Sequence, residues 1–240
     1  MINLVPCGND RYDLIRDSEA VFRVGLSVNR LHRERVYLDL LSSNTEAPAW
    51  ALFSTLRQWA GKPLQVMLDS DHPLIPWLIS GGFIRKRRCL EAGVTVAQLK
   101  SPLSETAPPQ MAKSGEKAYL NCCHALYAYY TMTHQPISPL TATFAEFLSV
   151  LPETVYYTCC DGQITHYAFI EPGEDIWEVA YVGSRDLQSF SGFAMALVSL
   201  IFQKASHISF ECDDTDPAAM ALSRMFQVSW EKTFDTFIYT

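Results

Sequence analysis

The sequence has no long hydrophobic run and little positive charge. The longest apolar run, around residues 193–202, falls well short of the roughly 20 residues that a membrane-spanning helix needs. The chain carries 19 Lys and Arg residues against 26 Asp and Glu, a net charge of −7. Phosphate contacts need concentrated positive charge, so this balance argues against a general nucleic-acid binder. We therefore expect neither a membrane nor a nucleic acid as partner.

Several chemical signatures are missing as well. The seven cysteines include the adjacent pairs 122–123 and 159–160 but no Cys-x-x-Cys spacing, so no zinc site is predicted. No charged segment followed by an apolar core opens the chain, which predicts a cytoplasmic protein with reduced, mostly buried thiols. The sequence has no Gly-x-Ser-x-Gly motif, so Ser-His-Asp hydrolysis has no support.

The composition is that of a packed protein with room for two small domains. Hydrophobic residues make up 48% and charged residues 19% of its 240 residues. Residues 101–115 are polar, rich in proline and without periodicity, as linkers are. We predict domains over 1–98 and 116–240, joined by a linker over 99–115.

The second half shows a regular succession of elements. Helices are predicted over 118–133 and 143–151, and Asp161-Gly162 predicts a hairpin between strands 154–160 and 163–170. A strand over 176–182 is followed by small residues at 191–194, an apolar segment over 195–202 and a strand over 207–212. Asp216 before Pro217 is typical of a helix N-cap with proline at the first helical position, and 228–239 is β-prone.

The small residues Ser191, Gly192, Phe193 and Ala194 are predicted to form a loop at a helix N-terminus. Small side chains let backbone N–H groups approach an anion, and the helix dipole favours negative charge there. This stretch is therefore interpreted as a cradle for a pyrophosphate.

These motifs resemble the GCN5-related N-acetyltransferase (GNAT) family. The family loop is commonly Gln/Arg-x-x-Gly-x-Gly/Ala, which Gly192 and Ala194 match while Ser189 departs from it. The later helix is commonly Asn-x-x-Ala-x-x-Leu-Tyr-x-x-x-Gly-Phe, which is matched at Asp216, Ala219 and Leu222 but not at Ser223 or Gln227-Val228. The resemblance implies an α/β fold with mixed central sheets flanked by helices, and acetyl-CoA as cofactor.

The first half repeats the late elements of the second. Residues 62–83 again give a strand, an acidic turn, a helix and a Gly-Phe exit, preceded by a strand over 35–41 and a helix over 49–60. The chain thus resembles two GNAT-like domains in tandem. The first loop carries Glu46, Ala47 and Pro48, and since a carboxylate repels phosphate and proline lacks an N–H, the first copy is predicted to have lost its cofactor. The basic cluster 85–88 is interpreted as a solvated edge strand.

The resemblance also implies the chemistry. GNAT enzymes transfer an acetyl group from the thioester to an amine, usually by direct attack, for which a base and an acid are useful. Glu178 is the predicted base and His166 a second candidate. Ser223 stands where the acid tyrosine is usual, which leaves solvent, Tyr181 or Tyr130 as proton donors. The residues predicted to bind the cofactor are Val182, Ser184, Ser189, Ser191, Gly192, Phe193 and Ala194.

Two other functions are alternatives to this enzyme. Departures at Ser189, Ser223 and Gln227 suggest a module that binds acyl-CoA without turnover. Aminoacyl-tRNA-dependent transfer is disfavoured by the net charge and by the small-residue stretch at 191–194. The acceptor is expected to be a small-molecule amine or a protein amine, and the sequence predicts no oligomeric state.

Overall fold

The computed structural model describes residues 2–42, 45–46, 48–103 and 107–240. The chain forms two compact units. The first comprises Met1–Arg88, Pro136–Ala142 and Glu231–Thr240, and the second Cys89–Gln135 and Thr143–Trp230. Each unit is built from helices and a mixed sheet, which confirms the predicted α/β class.

The strands and helices follow one another along the whole chain. The strands are β1 (Ile2–Gly8), β2 (Arg11–Arg16), β3 (Glu19–Ser27), β4 (Val36–Leu40), β5 (Leu64–Asp69), β6 (Ile84–Thr95), β7 (Gln110–Lys113), β8 (Thr154–Cys160), β9 (Gln163–Pro172), β10 (Ile176–Ser184), β11 (His207–Asp213) and β12 (Phe234–Tyr239). The helices are α1 (Ala49–Ala60), α2 (Ile75–Ser80), α3 (Lys117–His134), α4 (Phe144–Leu148), α5 (Leu187–Phe202) and α6 (Pro217–Ser223).

Each unit contains one parallel strand pair in an otherwise antiparallel sheet. The first unit has the order β1-β2-β3-β4-β5-β12, in which β4 and β5 are parallel. The second has residues 89–95 of β6, then β11-β10-β9-β8-β7, in which β10 and β11 are parallel. A helix connects each parallel pair, as parallel strands require. The succession β4-α1-β5-α2 is repeated as β10-α5-β11-α6, in agreement with the tandem duplication.

Each sheet is completed by a strand from the other half of the sequence. In the first unit β12 lies beside β5, from Phe234 opposite Asp69 to Tyr239 opposite Leu64. In the second unit residues 89–95 lie beside β11, with Thr95 opposite His207. The predicted ranges 1–98 and 116–240 divide the chain only once, so they differ from these compact units. Periodicity identifies a strand but does not reveal its neighbour.

The predicted linker is partly strand. Gln110–Lys113 forms β7 and pairs with β8, from Gln110 opposite Tyr157 to Lys113 opposite Thr154. The prediction of an irregular linker through residue 115 is therefore wrong over these residues. Pairing with a neighbouring strand overrides their weak β-propensity.

The basic cluster at the start of β6 is not a solvated edge. Arg85 donates to the carboxylate of Asp235 at 3.0 Å, and that carboxylate is fully buried. Arg87 is only 9% exposed. The edge-strand interpretation is therefore wrong, because β12, the strand that carries Asp235, comes from the far end of the chain.

Two hydrophobic cores follow from the amphipathic elements. In the first unit α1 buries Leu52, Phe53 and Leu56 against the sheet. In the second, α5 buries Phe190, Phe193 and Leu197 with their neighbours at helical spacing. The seven cysteines form no disulfide, and four of them (Cys89, Cys122, Cys123 and Cys212) are buried.

Candidate active site in the second unit

The parallel strands β10 and β11 separate along their length. They pair only over residues 176–179 of β10, and directly afterwards, between Val179 and Tyr181, the pairing of β10 with β9 shifts register. On its other edge β10 stays paired with β9 as far as Ser184. In the part of the chain that the structure describes, the backbone of residues 181–184 therefore has no strand partner on the β11 side. Ligands of open α/β sheets bind in crevices outside the carboxyl ends of parallel strands, so we call this gap the crevice.

Helix α5 starts at this crevice, earlier than the sequence predicted. Its N-cap is Asp186, whose carboxylate accepts from the backbone N–H of Gln188 at 3.0 Å and from the Ser189 hydroxyl at 2.5 Å. The prediction of a loop over 191–194 is wrong, because these residues lie inside the helix. Buried Phe190, Phe193 and Leu197 set the helical period, and small residues do not interrupt it.

The predicted cofactor-binding residues consequently fall into three groups. Ser184 ends β10, and Ser189 lies in the first turn of α5. Ser191 and Gly192 are exposed on its second turn, and a Cβ added to Gly192 would meet no atom within 4 Å. Val182, Phe193 and Ala194 are core residues, 8%, 5% and 1% exposed. Their side chains are therefore largely closed to a ligand, although Phe193 borders a cavity beside α5 and the backbone of Val182 belongs to the unpaired edge of β10.

A hydrogen-bonded chain fixes the turn between β10 and α5. His166 on β9 places Nδ1 2.9 Å from the Ser184 hydroxyl and Nε2 3.1 Å from the Ser189 hydroxyl. Ser184 Oγ also accepts from the backbone N–H of Asp186 at 3.0 Å. Burial lowers the pKa of His166. A neutral ring with both nitrogens engaged holds the turn in place, which makes His166 a positioning residue.

The start of α5 suits a polar cofactor only in part. The free edge of β10 offers backbone donors and acceptors to amide groups. The helix end, however, already carries an anion: hydrogen bonds from the Ser189 side chain and then the Gln188 N–H lower the pKa of Asp186. A phosphate placed there would face this carboxylate. The residues therefore fit the amide-bearing arm of CoA along β10 better than they fit a pyrophosphate at the tip of α5.

Two cavities flank the turn. The α3 cavity, of about 690 Å³, is bordered by helix α3, by the start of β9 and by Ser184 and Arg185. The α5 cavity, of about 700 Å³, is bordered by residues 107–110, by β8 and β9 and by one side of α5, including Asp186 and Gly192. The consecutive side chains Arg185 and Asp186 thus border different cavities.

The wall of the α3 cavity is joined to helix α6 by Tyr129. Its hydroxyl donates to the Asp216 carboxylate at 2.6 Å. The same carboxylate caps α6 by accepting from the N–H groups of Ala218 and Ala219 at 2.9 and 3.1 Å. Burial, followed by the charge of Asp216, raises the pKa of Tyr129. The N-cap predicted at Asp216 is confirmed.

The structure does not bring the two predicted catalytic residues to the crevice. Glu178 is exposed near the start of β10, with Glu171 and Ser209 as its strand neighbours. It lies three positions before Tyr181, where the crevice begins, which is about 10 Å along a strand. Ser223 is 2% exposed and lies against the Cys212 thiol. The roles of base and acid stay predictions for these residues.

The other two tyrosines considered as proton donors are engaged in aromatic packing. Tyr130 stacks on His134, with ring centroids 3.6 Å apart. Tyr181 contacts the rings of Tyr130 and Phe147.

Sequence reasoning missed Tyr167, Arg185 and Asp186. The sequence does contain a signal for Asp186 as a helix N-cap, because Asp is a preferred N-cap residue and Phe190, Phe193 and Leu197 follow at helical spacing. Tyr167 had none, since its position against Gly183 depends on the pairing of β9 with β10.

Comparison with solved structures shows which proteins share this fold. The model superposes on a GCN5-related N-acetyltransferase from Sphaerobacter thermophilus with a TM-score of 0.54 and 14% identity, covering 98% of this chain and 82% of that one. The fold is that of the GCN5-related N-acetyltransferases. A GNAT protein from Kribbella flavida gives a TM-score of 0.51 and 18% identity, with 99% and 89% coverage. The resemblance expected from the sequence is confirmed at the level of the fold.

A third neighbour is longer than this chain. A protein of unknown function from Enterococcus faecalis, described as a probable N-acyltransferase, matches with a TM-score of 0.54 and 10% identity. The match covers 95% of this chain but 61% of that protein. No protein-family model and no curated protein matches the sequence.

Neither a metal-binding cluster nor a membrane-spanning helix is found within the described residues. They contain no group of three or more His, Cys, Asp or Glu side chains that could hold a metal ion. None of their helices combines the length and the apolar character needed to cross a membrane.

The loop of the first copy cannot be compared in full. Ser43, Asn44 and Ala47 lie outside the described residues, whereas Glu46 is exposed and Pro48 is the N-cap residue of α1. The loss of cofactor binding by the first unit stays a prediction.

Proposed function

We propose that the second unit is an acetyl-CoA-dependent N-acyltransferase that transfers an acetyl group to an amine by direct attack. The observation that carries this proposal is the separation of β10 from β11 after Val179, beside the N-terminus of α5. The unpaired edge over residues 181–184 suits the amide-bearing arm of CoA. When bound, the cofactor supplies an activated acyl group as a thioester.

The residues of the chain contribute binding and orientation. His166, Ser184 and Ser189 hold the turn, and the backbone N–H groups along β10 are donors that can polarise a thioester carbonyl. Direct attack requires the amine to approach in its neutral form, because an ammonium group has no lone pair. Glu178 remains the proposed base.

A second function, binding of acyl-CoA without turnover, is favoured by two observations. The Asp186 carboxylate lies where a phosphate would be expected, and the serine at the position of the usual acid is buried. Both readings predict cofactor binding, so they separate only at turnover.

The test combines binding with chemistry. Saturating acetyl-CoA should raise the melting temperature, since a ligand that binds only the folded state stabilises it. Titration should give one CoA per chain, unchanged when Glu46 and Pro48 are replaced. An unchanged melting temperature would remove both functions.

A thiol reagent then reports free CoA formed with a panel of amines. Release that depends on the amine identifies an enzyme, whereas binding without release identifies the module. Gly192→Asp should weaken CoA binding by adding a carboxylate beside the start of α5. Gly192→Ala is the matched control, because its Cβ meets no atom within 4 Å. Equal affinity in both variants would show that the cofactor does not approach this turn of α5.

A further inference from the structure

The α3 cavity carries a buried phenol whose hydroxyl has no hydrogen-bond partner among the described residues. Tyr167 is 1% exposed and packs on the backbone of Gly183, and the cavity is where its hydroxyl is accessible. The hydroxyl itself is open to the cavity and is not sealed inside the protein. It can therefore donate a hydrogen bond to a ligand in the cavity, or accept one from it.

Groups of opposite charge are attached to the wall of this cavity. Arg185 borders the cavity itself, and Tyr129, which also borders it, holds the Asp216 carboxylate on its hydroxyl at 2.6 Å. The Asp216 charge raises the pKa of Tyr167 after the larger effect of burial, whereas the Arg185 guanidinium lowers it. A cavity with an anion behind one wall residue and a cation at another suits a molecule that carries both charges.

Arg185 is available for such a ligand. Its guanidinium donates to the side-chain oxygen of Gln163 at 2.8 Å, a neutral partner. Within the described residues it makes no ion pair, and the neighbouring Asp186 carboxylate is bonded to Gln188 and Ser189 instead. Guanidinium groups bind carboxylates through two parallel hydrogen bonds, so an exposed arginine at a cavity wall is a carboxylate receptor.

We infer that the α3 cavity binds the acceptor, and that the acceptor is a small amine that also carries a carboxylate, an amino-acid-like molecule. Its carboxylate contacts Arg185, and its amine end lies toward Tyr167 and the Tyr129–Asp216 pair. The role of this ligand as acceptor rests on the proposed function, whereas its binding to the cavity does not depend on acetyl-CoA.

The experiment measures binding of matched pairs without cofactor. Leucine, phenylalanine and lysine are each compared with the amine that lacks only the carboxylate: 3-methylbutylamine, 2-phenylethylamine and 1,5-diaminopentane. Isothermal titration should show at least one amino acid binding about tenfold or more tightly than its amine, the effect of one charged hydrogen bond.

Variants assign the contact. Arg185→Gln should remove that preference, and Tyr167→Phe should weaken the amino acid and the amine alike. Arg224→Gln, an exposed arginine of the same unit that borders neither cavity, should change nothing. Circular dichroism and the melting temperature establish that each variant is folded.

Three outcomes overturn the inference. They are failure of every amino acid to bind, equal binding of amino acids and amines, and a preference that survives Arg185→Gln. If Arg185→Gln instead weakens CoA while leaving the acceptors unaffected, the arginine serves the cofactor phosphates. Failure of the wild-type protein to bind CoA would refute the proposed function but would not affect the measurements on amino acids and amines.

Discussion

Asp216 joins two parts of the second unit, and its removal should cost more than a helix cap. In Asp216→Ala the N–H groups of Ala218 and Ala219 lose the carboxylate as acceptor, and Ala218 keeps only the Tyr129 hydroxyl at 3.2 Å; the loss of such a cap typically costs about 1 kcal/mol. The Tyr129 hydroxyl loses a charged partner at 2.6 Å, which is worth about 2 kcal/mol. The expected loss of unfolding free energy is therefore about 3 kcal/mol. Asp216→Asn keeps an acceptor for both groups and should lose about 1 kcal/mol.

Urea denaturation of a double-mutant cycle separates the two contributions. In the Tyr129→Phe background the hydroxyl is already absent, so Asp216→Ala should cost only the cap, about 1 kcal/mol. The coupling energy between the two residues should then be about 2 kcal/mol. A coupling energy below about 0.5 kcal/mol would show that Tyr129 and Asp216 act independently, and the reasoning about this wall of the cavity would fail.

Three further predictions follow from the same region. Gly183→Ala should destabilise the protein by about 3 kcal/mol, the upper end of the cost of overpacking, because the added Cβ would overlap with the Tyr167 ring and hydroxyl. Urea denaturation should show that Tyr167→Leu removes most of this cost, and an equal cost in both backgrounds would refute the contact. Because the pKa of His166 is lowered in the fold, the unfolded state binds its proton first, so stability should fall as the pH drops below about 6.5. The decline measured by denaturation between pH 6.5 and 5 should be shallower in His166→Gln, and an unchanged slope would assign it to other groups. If Glu178 is the base, Glu178→Gln should lower turnover by roughly 10²- to 10⁴-fold, while its strand neighbour serves as control in Glu171→Gln; a loss below about threefold in the amine assay would leave Glu178 a surface residue.

The order of elements could be predicted from the sequence because it rests on local patterns. The hairpin at Asp161-Gly162, where both residues have positive φ, and the cap at Asp216 depend on nearby residues. The predicted start of α5 is wrong because it treats Gly192 as a loop residue, although the apolar period continues through it. A glycine interrupts a helix only weakly when its neighbours at helical spacing are buried.

The candidate site was less predictable because it depends on contacts between distant segments. Tyr167 reaches the crevice through strand pairing with Gly183, and Tyr129 reaches Asp216 across 87 positions of sequence. The predicted acid, Ser223, was placed by analogy with a family motif, and the fold turned that position toward Cys212. The motifs therefore point to one region of the fold, whereas the side chains gathered there depend on strand pairing and on contacts between distant segments.

The position of β12 in the first unit has a consequence for synthesis on the ribosome. Strand β5 is complete at residue 69, but its neighbour is made of residues 234–239, which are translated after the whole of the second unit. Until these residues have been made, this edge of β5 has no partner, and an unpaired edge invites association with other chains. We expect the first unit to acquire its final stability only once β12 is present. A stop codon placed before residue 234 should therefore affect the half of the protein that is made first.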